Sequence, residues 1–168
     1  MTHWRFVRTA LAALATTSAA YAAEPVVVAS VIPYADSADI QQKILDECTE
    51  LGAQFSQYIK EYAAEKGVQV TLGDASASAS RELRVEITNA LSQGNAFLGH
   101  SKSMSSRGTL FENGTEVATF RATRNSMGGA FAGYKGSCSV LGRTVKAMGM
   151  DIGEWLATPV DGAELGDR

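Results

Sequence analysis

At 168 residues, 45% apolar and 20% charged, the chain is long enough to bury a core of its own and too apolar to stay disordered. Fifteen basic against 18 acidic residues give a net charge of −3. That balance excludes a general electrostatic attraction to nucleic acid or anionic lipid.

Residues 1–22 carry the pattern of an export signal. Arg5 and Arg8 make a positive start, Ala10 to Ala15 a short apolar run, and Ala20-Tyr21-Ala22 a small-x-small cleavage site before Ala23. The apolar run breaks at Thr16, Thr17 and Ser18, far short of the roughly 20 residues a membrane span needs. The segment is therefore expected to be removed, leaving no membrane span. No cysteine follows the cleavage point closely, so no lipid anchor is expected. Losing Arg5 and Arg8 leaves 13 basic against 18 acidic residues, −5.

Val26 to Ile32 is a β-branched run closed by Pro33, the pattern of a buried strand. Asp36 or Ser37 can cap the helix expected next, whose stripe is Ile40, Ile44, Cys48, Leu51, Phe55, Tyr58/Ile59 and Tyr62. Gly67 supplies a left-handed stop. Val68, Val70 and Leu72 alternate with polar residues, as do Leu83, Val85 and Ile87 after an Ala/Ser connector at 75–80. Both read as half-buried strands. Asn113-Gly114 predicts a hairpin turn joining strands near Ser105–Glu112 and Thr115–Thr123; the same residues explain the Asn-Gly-Thr glycosylation pattern without a sugar. A glycine-rich stretch, Ser126 to Gly136, leads to a closing helix with Cys138, Leu141, Val145, Met148, Ile152 and Trp155/Leu156 on one face. Pro159 ends it, and residues 160–168 read as a flexible acidic tail.

The order β-α-β-β-β-β-α predicts a single α+β domain over residues 23–159, a mostly antiparallel sheet with two helices packed on one face. Cys48 and Cys138 fall on the two helical stripes, which favours an internal disulfide over two buried thiols or an intermolecular bridge in an oxidising compartment. Charge is unevenly spread: residues 24–67 hold three basic and eight acidic side chains, residues 81–124 six and four. The second segment could present a face to an acidic partner, or be the solvated side of an open sheet.

Catalytic patterns are thin. Only His100 remains in the mature chain, beside Ser101, Ser103, Ser105 and Ser106, without a Gly-x-Ser-x-Gly elbow; a surface loop is the simpler reading. There is no Cys-x-x-Cys motif, and one histidine with two separated cysteines is a poor zinc set. No Ser lies three residues before any Lys. Gly128 and Gly133 have phosphate-loop spacing, but Tyr134 and Gly136 stand where that loop needs Lys and a hydroxyl. No metal or cofactor is expected.

Leu83-Arg84-Val85-Glu86-Ile87-Thr88, Gly108-Thr109-Leu110-Phe111-Glu112-Asn113-Gly114 and Asp151-Ile152-Gly153-Glu154-Trp155-Leu156 occur in an order that resembles small exported bacterial α/β envelope proteins of unknown function, lipoproteins among them. The resemblance covers residues 25 to 158 and implies a fold and a compartment, with no catalytic residues. The function expected is a non-enzymatic periplasmic binding or accessory module for another envelope component, in an undefined oligomeric state. Arg84, Arg107, Arg121, Phe131 and Tyr134 are its contact candidates. The alternative is a small secreted, hydrolase-like enzyme with a site near His100.

Overall fold

A computed structural model describes residues 24–74, 79–95, 99–127 and 137–167. The signal segment with its Ala22–Ala23 junction and the glycine-rich stretch with Phe131 and Tyr134 lie outside them. The elements run β1 (Val26–Val28), β2 (Tyr34–Ile40), α1 (Gln42–Glu47), α2 (Leu51–Glu65), β3 (Val70–Leu72), β4 (Arg81–Asn95), β5 (Gly99–Glu112), β6 (Thr115–Met127), α3 (Ser137–Ala157) and β7 (Ala163–Gly166). Seven strands form one mixed sheet in the order β3-β1-β4-β5-β6-β7, with β2 also on β4. Its centre, β4-β5-β6, is long and antiparallel; the short outer strands add in parallel. The α+β class expected from the sequence holds.

One face of the sheet is apolar. Val26, Val28, Leu83, Val85, Ile87, Met104, Leu110, Ala118, Phe120 and Ala122 are buried with Phe55 and Ile59 of α2 and Leu141, Val145, Met148 and Ile152 of α3. The helices cross closely because α3 offers glycines where they meet. A Cβ on Gly153 would come within 2.7 Å of the α2 backbone at Tyr62 and Ala63. Gly108 serves the sheet in the same way: the ring of Phe120, its partner across β5 and β6, lies over it and meets Trp155 edge-on at 4.9 Å. Cys48 and Cys138 are bridged, with Cα atoms 5.2 Å apart, inside the range a disulfide accepts.

Two local expectations hold in detail. Gly67 has φ +80°, and the amides of Gly67 and Val68 donate to the carbonyls of Ala64 and Ala63, the paired bonds of a Schellman stop. Asn113 and Gly114 both have positive φ (51° and 78°) and close a two-residue hairpin between Glu112 and Thr115.

Three expectations are corrected. Asp36 and Ser37 cap no helix; they lie in β2, which pairs with the far half of β4. The long helix is two: Cys48 leaves helical geometry at φ −109°, ψ 47°, and α2 begins at Leu51. The break keeps the phase, so Ile44, Cys48, Leu51, Phe55 and Ile59 still form one buried stripe. The tail is not loose over its whole length, because Ala163–Gly166 form β7 on the edge of β6. A carboxylate stands at each end of that short strand: Asp161 accepts from the Thr119 amide at 2.9 Å and Asp167 from the Asn125 amide at 2.7 Å.

Candidate functional site: the uncovered sheet face

Alternation along β4, β5 and β6 sends every second side chain away from the helices. On that uncovered face Arg84, Arg107 and Arg121 come together from three adjacent strands. Arg107 pairs directly with Glu86 on one side and Arg121 on the other, and Arg121 pairs with Glu164 of β7. The row across the sheet is therefore Glu86–Arg107–Arg121–Glu164. Thr109 and Thr119 form the next row, opposite Arg84. A depression of about 380 Å³ lies between these rows, lined by Arg107, Arg121 and Glu164 together with Thr109 and Thr119.

Most of the guanidinium groups already have carboxylate partners. Arg84 forms a bidentate pair with Glu82 (2.7 and 2.9 Å) and lies 4.4 Å from the centre of the Phe111 ring. Its hydrogen bonds to Glu82 hold its pKa above the ordinary arginine value. Arg107 donates twice to Glu86 Oε2 (2.9 and 2.7 Å). Arg81 bonds Glu112 at 3.0 Å. Arg124, on the helix side, is clamped by Asp151 of α3 and by Asp167. Among the described residues Arg121 has no carboxylate within ion-pair reach.

The run around His100 is not the surface loop expected. Gly99 opens β5, and the His100 backbone pairs with Gly94. A strand divides neighbouring side chains between two faces: the Ser105 hydroxyl meets Thr123 at 3.1 Å, while Ser106 is buried toward the helices. Ser105 and Ser106, neighbours in the sequence, therefore part to opposite faces. A different pair forms here, unseen in the sequence because ten residues separate its members: Lys102 Nζ donates to the Ser92 hydroxyl across β4 and β5. Burial, with Lys43 nearby, lowers the Lys102 pKa.

Among the described residues no group of three His, Cys, Asp or Glu side chains could hold a metal ion, and no helix is long and apolar enough to cross a membrane.

No protein-family model matches the sequence, and no curated protein matches it. Solved structures do. A minor lipoprotein from Acinetobacter baumannii is 12% identical, with 79% of this chain and 91% of that one covered at a TM-score of 0.50. Protein XCC0632 from Xanthomonas campestris, of the family DUF330, is 9% identical over 80% of this chain and 83% of its own, at 0.49. A PelC dodecamer from Paraburkholderia phytofirmans is 16% identical over 73% of this chain and 82% of its own, at 0.47. At these identities the likeness is one of fold. The chain shares its fold with that minor lipoprotein, in line with the resemblance its motifs carry.

Proposed function

We propose that this chain is an exported, non-enzymatic accessory protein of the bacterial envelope, cleaved after Ala22 and soluble in the periplasm, which binds another envelope component through its uncovered sheet face. The observation that carries this reading is the meeting of Arg107 and Arg121 at one depression, with Arg84 in the adjoining row, on a face that no helix among the described residues covers. Among the described residues the helices pack on the opposite side, and a polar sheet face with a cationic centre offers a partner both main contact area and a point of specificity. Phe131 and Tyr134, from the glycine-rich stretch, complete the contact set.

The test is site-specific photocrosslinking in periplasm from Thr109 and Thr119, on the sheet face, and from Lys60, on the exposed side of α2. We expect a discrete adduct from the two threonines and none from Lys60. Adducts of equal yield from all three sites, or none from the threonines, would end the reading. Intact mass of the same preparation checks cleavage after Ala22.

A further inference from the structure

Like charges directly opposite one another on neighbouring strands destabilise a sheet, and Arg107 faces Arg121 in that way. Glu86 neutralises Arg107. Arg121 has no such partner among the described residues and is exposed at the rim of the depression, although Glu164 is its register neighbour on β7. Every other arginine of β4, β5 and β6 has a carboxylate partner: Arg81 with Glu112, Arg84 with Glu82, Arg107 with Glu86 and Arg124 with Asp151. A fold that neutralises four cations and sets the fifth beside one of them carries a local conflict, and such conflicts concentrate where function needs them.

We infer that Arg121 is the receptor for a carboxylate on the partner, carried by an acidic, extended peptide segment laid across β5 and β6. This rests on the sheet-face reading above. A carboxylate suits the site because the planar guanidinium fork offers it two parallel hydrogen bonds. Thr109, in the adjoining row, brings a hydroxyl to the same depression. The Thr119 hydroxyl is already engaged, donating to Asp161 and accepting from the Gly162 amide, so it fixes the wall without binding. A continuous anionic surface fits less well. Glu164 stands beside Arg121 on β7 and Glu86 beyond Arg107 on β4, and these flanking carboxylates repel a membrane or acidic polysaccharide more than a single carboxylate set between them.

The probe is the blocked hexapeptide Thr-Glu-Thr-Glu-Thr-Val, titrated at physiological salt into the mature protein labelled with ¹⁵N at arginine. Its Gln-for-Glu counterpart and phosphatidylglycerol vesicles are run beside it. We expect saturable movement of the Arg121 Nε–Hε resonance with the charged peptide and binding at least about tenfold weaker for the neutral one. Arg121→Gln should weaken the charged peptide by about tenfold, Arg121→Lys by less, and Lys60→Gln not at all. Equal affinity for both peptides, an unmoved Arg121 resonance, or unchanged binding in Arg121→Gln would overturn the inference. Vesicle binding that the charged peptide does not displace would overturn it in favour of an anionic surface. If photocrosslinks from Thr109 persist at full yield in Arg121→Gln, only the carboxylate inference fails. If they are absent from the wild type, the sheet-face reading itself fails.

Discussion

Lys102 is 3% exposed on the helix-facing side of β5, bonded to Ser92 and without a carboxylate partner among the described residues. Burying an ammonium in that way favours its neutral form, and Lys43 pushes in the same direction. A lowered amine pKa means that the unfolded chain holds the proton more tightly than the folded one. The resulting penalty is complete below the folded-state pKa and disappears as pH rises toward the ordinary lysine value of 10.5. Lys102→Met should therefore raise stability at neutral pH by about 1 kcal/mol. Urea titrations from pH 7 to 10 should show that advantage shrinking as the wild type gains. An advantage that stays constant with pH would remove burial of the charge as its cause.

The contact between α2 and α3 depends on the absence of side chains at particular turns. Gly149 and Gly153 let the backbone of α3 approach Tyr58, Tyr62 and Ala63. Gly153→Val should force the helices apart and lower stability by about 1–3 kcal/mol, read as a shift in the urea midpoint. A midpoint within error of wild type would mean that the crossing relaxes freely. At the sheet edge, β7 covers only Phe120–Thr123 of β6, and the amides of Thr119 and Asn125 on either side are closed by Asp161 and Asp167. Those bonds hold both carboxylates below the ordinary aspartate pKa: the Thr119 hydroxyl and amide act on Asp161, the Asn125 amide and then Arg124 on Asp167. Their contribution is present above about pH 3.8 and is lost as pH falls through the lower folded-state values. Asp161→Asn with Asp167→Asn should accelerate hydrogen exchange at Thr119 and Asn125 by about tenfold at neutral pH. Wild type should show the same acceleration only in acid. Unchanged exchange in the double variant would leave the carboxylates without a role in guarding that edge.

Across the whole molecule the disulfide is the longest covalent constraint, joining the end of α1 to the start of α3 across 90 positions. Chain-entropy reasoning puts its contribution at about 4–5 kcal/mol. Replacing Cys48 and Cys138 together by Ala should lower Tm by about 10 °C or more. A fall of about 2 °C would mean that the core holds the same geometry unaided.

Composition and periodicity determined the class of fold, both helical stripes, the cysteines that meet, the Gly67 stop and the Asn113-Gly114 turn. Each of these follows from local preference or from which side of an element is apolar, and both are written along the chain. The candidate face was legible only in part. Arg84, Arg107 and Arg121 could be named, but not their company. A two-residue turn at Asn113-Gly114, continued without interruption, would set Arg107 opposite Phe120 and turn that ring to solvent. A bulge between Leu110 and Phe111, with Val117 as the extra residue on β6, instead sets Gly108 opposite Phe120 and Arg107 opposite Arg121. One residue of slip exchanges the two faces of a strand. Packing decides that slip, because Phe120 is buried against Trp155 only in the shifted register. The edge strands β2 and β7 were unreadable for a related reason: short polar segments become strands when a neighbour has free amides to share. Tertiary structure alone thus decided which arginines meet, which are neutralised, and that Arg121 has no carboxylate partner among the described residues.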